Sequence, residues 1–94
     1  MGDKVMTLHP QGKRGVNIDR VKYETIKAEI VGLLKERGRL GFVALVEAVD
    51  AQLAGRFDGS VSWYVTTVKL DLEARGVIGR LPGMSPQQLE LRGG

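Results

Sequence analysis

The sequence predicts an α+β domain, mainly α, in which three helices are followed by a C-terminal β-hairpin. Helical spacing of apolar residues recurs three times, a glycine follows each of these stretches, and apolar and polar residues alternate near the C-terminus. The chain has 94 residues, which is enough for one modest core. We therefore expect residues 1–94 to form a single domain.

The first sixteen residues, which we call the N-terminal arm, are expected to lie outside the helical unit. Within residues 4–8, the β-branched Val5 and Thr7 alternate with Met6 and Leu8, which is typical of a short strand or an extended segment. Residues 9–15 read HPQGKRG, and their proline and glycines indicate a loop. Lys13 and Arg14 make this loop basic.

The first helix is expected over residues 20–37, as part of a three-helix unit that spans residues 17–76. Asp19 precedes it and can accept hydrogen bonds from the free amides of the first turn. Gly38 is expected to end the helix. Its apolar residues fall on one helical face, namely Tyr23, Ile26, Ile30, Leu33 and Leu34.

The second helix is expected over residues 42–54 and the third over residues 61–75. Gly55 and Gly76 follow them, and Ser60 is a suitable N-cap for the third helix. The periodicity of the three helices and of the hairpin predicts a core made of Ile26, Ile30, Leu33, Leu45, Val46, Val49, Val65, Val68, Leu72, Ile78 and Leu89.

The hairpin is expected over residues 77–92, with strands near 77–81 and 87–92. A Pro/Gly-rich loop, residues 82–86, joins the two strands. In the second strand Leu89 and Leu91 alternate with polar residues, as in a strand with one buried face. Residues 93–94 are expected to be a frayed tail.

The third helix carries two further stripes besides its core face, at about 100° per residue. One is polar and is available to solvent or to a ligand; it consists of Ser62, Thr66, Lys69 and Glu73. The other contains Trp63 and Leu70, two turns apart. Because a water-facing stripe rarely pairs an indole with a leucine, we expect either the N-terminal arm or a second copy of the chain to cover them. Failing both, they are candidates for binding another partner.

The junction LEARGVI, in which a helix end runs directly into a hairpin, resembles the junction of the third helix and the wing in bacterial winged helix-turn-helix regulators. Over most of the chain the motifs HP, NIDRVKY, F-x-x-L-V-E-A-V and GSVSWYVTTVKLDLEARG also resemble a small bacterial family of winged-helix proteins without an assigned role. The resemblance implies a domain that contacts double-stranded DNA through its third helix and wing. The residues placed for this contact are Ser62, Thr66, Lys69 and Arg80.

The distribution of charge leaves two functions open. Residues 1–41 hold nine basic and five acidic side chains, which gives them a net charge of +4. Residues 42–94 hold five basic and six acidic side chains, which gives them a net charge of −1. The half that resembles the DNA-reading unit is therefore nearly neutral, although Lys13 and Arg14 could reach backbone phosphates. A DNA-binding module, such as a small transcriptional regulator, and a protein-interaction module that uses Trp63 and Leu70 both fit the sequence.

An enzymatic function has no support in the sequence. The chain has no cysteine and a single histidine, His9, so neither a metal site nor a nucleophile and base pair can be assembled. We expect no catalytic residue, no metal and no cofactor. No apolar run reaches the roughly 20 residues of a membrane span, and no secretory signal is recognisable, so we expect a cytoplasmic protein without a membrane partner.

Overall fold

A computed structural model describes residues 3–83 and 87–92 of the chain. Its elements, in chain order, are β1 (Lys4–Met6), β2 (Asn17–Asp19), α1 (Arg20–Arg37), β3 (Arg39–Gly41), α2 (Phe42–Leu53), α3 (Val61–Ala74), β4 (Ile78–Arg80) and β5 (Gln88–Leu91). The predicted α+β class, mainly helical with a C-terminal hairpin, is confirmed. Residues 84–86 of the predicted hairpin loop and the predicted tail, residues 93–94, lie outside the described residues.

The helices begin where they were predicted to begin, and side-chain N-caps explain the start of α1 and of α3, whereas Gly41 before α2 provides no side-chain cap. The Asp19 carboxylate accepts a hydrogen bond from the Lys22 amide (3.1 Å), and the Ser60 hydroxyl accepts one from the Trp63 amide (3.2 Å). The second and third helices each end one residue earlier than predicted. Gly55 and Gly76 follow these ends with φ of 72° and 75°, a conformation that glycine adopts without strain.

Two strands were not predicted. Residues 17–19 form β2, which pairs antiparallel with β1. The N-terminal arm and β2 together therefore form a hairpin, which we call the arm hairpin, rather than a strand followed by a free loop. Residues 39–41 form β3, which pairs antiparallel with β5 and gives the three-stranded order β3-β5-β4. Both strands have three residues, too few to show an alternation of apolar and polar side chains. In addition, β3 pairs with a strand that is distant in the sequence, so that Arg39 lies opposite Glu90.

The helices and the three-stranded sheet enclose one apolar core. All predicted core residues are buried except Val46, which is partly buried and packs against the core. The arm hairpin adds Val5 and Ile18 to the buried set. The arm is therefore packed against the helical unit.

Candidate functional site

Where β1 and β2 meet the basic loop, hydrogen bonds between Thr7 and Val16 join the two sides of the arm hairpin. The Thr7 hydroxyl donates to the Val16 carbonyl and accepts from the Val16 amide, both at 2.9 Å. Gly15 lies so close to Thr7 that a Cβ atom on residue 15 would be 1.7 Å from the Thr7 carbonyl oxygen. A side chain at this position is therefore excluded, and the basic loop that carries Lys13 and Arg14 has a defined exit from the hairpin.

Asp71 of α3, which sequence analysis did not single out, attaches the arm to the helices. Its fully buried carboxylate accepts hydrogen bonds from the Leu8 amide (2.8 Å), the Tyr23 hydroxyl (2.5 Å) and Arg75 Nε, which is 2.9 Å from both oxygens. Arg75 also donates to the Met6 carbonyl (3.4 Å). One carboxylate thus connects the arm, α1 and α3.

The pKa values of Tyr23 and Arg75, which both donate to Asp71, are raised. Burial, and then the hydrogen bond to Asp71 and the charge of that carboxylate, raise the pKa of the Tyr23 hydroxyl to about 12. The hydrogen bond to Asp71 likewise raises the pKa of Arg75. Tyr23 therefore stays a neutral donor and Arg75 a cation at physiological pH, so both side chains can donate hydrogen bonds to Asp71 there.

The attached arm forms one wall of a cleft beside α3. This cleft, about 640 Å³ in volume, is lined by the arm around Lys13 and Arg14 and by Glu73 and Ala74 of α3. A second cleft of about 290 Å³ shares Glu73 and extends to β4, where Arg80 lines it together with Pro10 and Gln11 of the arm loop. The arm loop, the C-terminal half of α3 and the hairpin therefore meet around Glu73.

Four predicted DNA contacts, which we call the basic cluster, gather at this meeting point: Lys13, Arg14, Lys69 and Arg80. Lys13 and Arg14 are exposed and make no ion pair with any residue in the described ranges. Lys69 and Arg80, in contrast, both pair with Glu73, at 3.5 Å and 3.0 Å. Lys69, predicted as a DNA contact, is therefore already paired with a carboxylate within the chain.

The two remaining predicted DNA contacts lie in the N-terminal half of α3. Ser62 and Thr66 are exposed, and the Thr66 hydroxyl donates to the Ser62 carbonyl one turn earlier (2.9 Å). Their oxygens can still accept hydrogen bonds from outside the chain. The polar stripe predicted on α3 is therefore accessible over its first half, while its second half is occupied by the Lys69–Glu73 pair.

The predicted apolar stripe is only partly covered. Leu70 is half-buried and lines a small cleft with Leu8 and Val16 of the arm. Trp63 remains 47% exposed, and its ring packs edge-on against Tyr64 (centroids 4.9 Å apart). The expectation that the arm covers both residues is therefore wrong for Trp63, because the arm reaches α3 closer to its C-terminal end.

Sequence analysis did not name Asp71 as a site residue, and it named Glu73 only as part of the polar stripe, without its pairing with Lys69 and Arg80. A signal was present for each, since Lys69 precedes Glu73 by four positions and Asp71 precedes Arg75 by four, the spacing of side-chain pairs on a helix. His9 has a local role, because its Nδ1 accepts a hydrogen bond from the Gln11 amide (3.1 Å) within the loop. Across residues 3–83 and 87–92, no three potential metal ligands come together.

The fold and the site define a small α+β domain with an arm attached to its third helix and a basic cluster beside it. The chain belongs to a family of unknown function, DUF6958, whose model matches residues 4–89. No curated protein and no solved structure matches the chain significantly. Within the described part of the chain, no helix has the length and apolar character required to cross a membrane.

Proposed function

We propose that the protein is a cytoplasmic DNA-binding domain of the winged helix-turn-helix type, whose basic cluster contacts the backbone of double-stranded DNA while α3 faces a groove. The element order supports this proposal, since three helices precede a hairpin and β3 joins that hairpin to the helical unit. In this reading β4, β5 and their connection are the wing. A small transcriptional regulator is the role that such a domain fits best.

The observation that carries the proposal is the convergence of the basic cluster. Lys13 and Arg14 come from the basic half of the sequence, and they line the same cleft as Glu73, the carboxylate with which Lys69 and Arg80 both pair. Four cations and one carboxylate give this surface a net charge of +3, although residues 42–94 alone carry −1. Neutralisation of phosphates by such cations supplies most non-specific DNA affinity.

The shape of α3 is compatible with this role. A helix of 14 residues is about 21 Å long, and a major groove about 12 Å wide admits an α-helix. Ser62 and Thr66 can hydrogen-bond to a base edge or to a phosphate. No arginine lies on their stripe, so the chain lacks the side chain that makes the commonest base-specific contact, and we expect affinity to be mainly electrostatic.

Fluorescence anisotropy tests the proposal, with the full chain titrated onto a labelled random-sequence duplex at several salt concentrations. A local net charge of +3 predicts a slope of log K against log salt of about −2.7. Replacing both Lys13 and Arg14 by alanine should make the slope shallower by about 1.8, because two phosphate contacts are lost. The matched control replaces Lys35 and Arg37 in the last turn of α1, which removes the same charge from residues that line neither of the two clefts around Glu73.

The control variant should keep the slope of the natural protein. If the slope became equally shallow in both double variants, only the net charge of the chain would matter. If the natural protein did not bind the duplex at low salt, the proposal would be contradicted outright.

Exposure of Trp63 favours a second candidate function, that of a protein-interaction module. Trp63 lies on the same side of α3 as Leu70, and Leu8 and Val16 of the arm are also exposed nearby. Tryptophan is enriched among residues that dominate binding at protein interfaces. If this surface joins two copies of the chain, sedimentation should give a mass that rises with concentration, and Trp63→Ser should keep the protein monomeric. A monomer at every concentration would remove the homodimer form of this candidate.

A further inference from the structure

Glu73 lies where the two clefts beside α3 meet, and it lines both of them. Its side chain is only 6% exposed. Arg80 approaches it with two nitrogens, Nε at 3.0 Å from Oε2 and Nη2 at 3.5 Å from Oε1, while Lys69 Nζ lies 3.5 Å from Oε2. One shielded carboxylate therefore holds two cations of the basic cluster.

The two cations differ in how freely they can leave Glu73. Lys69 is 13% exposed, and its ammonium also lies 5.4 Å from the centre of the Phe42 ring, so it is held from two sides. Arg80 is 43% exposed and sits on the hairpin, so its guanidinium can reach toward solvent. A phosphate that binds either cation has to compete with the Glu73 carboxylate, which already occupies the same donors.

We propose that Glu73 limits the affinity of the basic cluster for DNA by competing with backbone phosphate for Lys69 and Arg80. This inference rests on the proposed DNA-binding function. Glu73 acts as a positioning residue here, since it touches the cations rather than the DNA. The carboxylate and the phosphate are both anions that accept hydrogen bonds from the same side chains, so removing the first should favour the second.

The test compares the full-length natural protein with Glu73→Gln in the anisotropy titration against the same random duplex. The glutamine keeps the size of the side chain and removes its charge, so the local net charge rises to +4. The slope of log K against log salt should steepen by about 0.9, and affinity at low salt should rise about two- to fivefold, the range expected when a partly exposed ion pair is released. A carboxylate that merely fastened the hairpin to α3 would give weaker binding when removed.

Glu36→Gln is the matched control, because it makes the same change of charge on α1, in a different cleft that is lined by Gly32 and Gln52. It should leave the slope unchanged. Glu73→Gln is also introduced into a variant that already carries Lys69→Gln and Arg80→Gln. In that background it should give no gain over the double variant, because the two cations for which Glu73 competes are absent. Circular dichroism of each variant confirms that it is folded.

Three results would overturn the inference. An unchanged or weaker affinity of folded Glu73→Gln would do so while leaving the DNA proposal intact, provided that the natural protein binds and loses affinity when Lys13 and Arg14 are replaced. An equal gain in Glu36→Gln would show that the effect is one of net charge alone. The absence of binding by both the natural protein and Glu73→Gln would overturn the DNA proposal together with the inference.

Discussion

Replacing Asp71 by asparagine should detach the N-terminal arm and destabilise the whole domain. The carboxylate accepts hydrogen bonds from the Leu8 amide, the Tyr23 hydroxyl and Arg75 Nε, and it is fully buried. An asparagine has one oxygen to accept hydrogen bonds, and its NH₂ group then faces a donor. The substitution therefore removes a charge-assisted hydrogen bond and leaves a buried donor without a partner.

The size of the effect follows from these losses. A hydrogen bond to a charged group contributes about 1.5–3 kcal/mol, and an unsatisfied buried donor costs about 1–3 kcal/mol. The side chain of Arg75 is 39% exposed and can turn toward water, which offsets part of the loss. We expect the free energy of unfolding to fall by about 2–4 kcal/mol for Asp71→Asn.

Urea unfolding followed by circular dichroism measures this change, and amide hydrogen exchange at Leu8 reports separately on the arm. Asp50→Asn is the matched control, since Asp50 is exposed on α2 and makes no ion pair with a described residue; it should change stability by less than about 0.5 kcal/mol. A loss below about 1 kcal/mol for Asp71→Asn, with Leu8 still protected from exchange, would refute the assignment of Asp71 as the attachment point.

The remaining predictions concern the core, the alkaline limit of stability and the backbone of α1. Leu72→Ala should lower the free energy of unfolding by about 2–4 kcal/mol in urea titrations, because Leu72 is fully buried and truncation leaves a cavity. The raised pKa of Tyr23, about 12 against about 10 in the unfolded chain, contributes stability that is complete below pH 10 and is lost as the pH rises toward 12. A spectrophotometric titration should therefore show a late ionisation step that is missing from Tyr23→Phe, and a single early step in the natural protein would contradict it. Gly32→Ala should raise the free energy of unfolding by about 0.5–1 kcal/mol and thereby raise the melting temperature, because Gly32 lies within α1 and an added Cβ meets no atom there. An unchanged or lower melting temperature would refute this.

The helices could be predicted because their signals are local. Each has a periodic apolar face, and two have N-caps whose side chains are identifiable in the sequence, Asp19 and Ser60. The strands β2 and β3 could not be predicted, since each has three residues and acquires its structure only by pairing. Val46 was expected in the core because it fits the spacing, but spacing alone does not decide how closely neighbouring elements cover the edge of a helical face.

The candidate site could be predicted as a set of residues but not as an arrangement. The basic residues of the arm loop and those of α3 and β4 are about sixty positions apart. The attachment of the arm through Asp71 places Lys13 and Arg14 in a cleft with Glu73, which also pairs with Lys69 and Arg80. The pairing of Lys69 with Glu73 was visible as an i, i+4 spacing, whereas the second partner, Arg80, depends on the turn from α3 into β4. Long-range packing therefore determines which cations are free.

The most direct test of the DNA proposal is a residue-resolved NMR titration of the ¹⁵N-labelled full chain with a random-sequence duplex about two helical turns long. We expect the amide shifts to change in the arm loop around Lys13 and Arg14, along α3 from the exposed Ser62 to the Lys69–Glu73 pair, and at β4 near Arg80. These changes should reverse when salt is added. Amides in the last turn of α1 should not change. Shifts confined to that turn, or a spectrum that the duplex does not alter at low salt, would contradict DNA binding through the basic cluster.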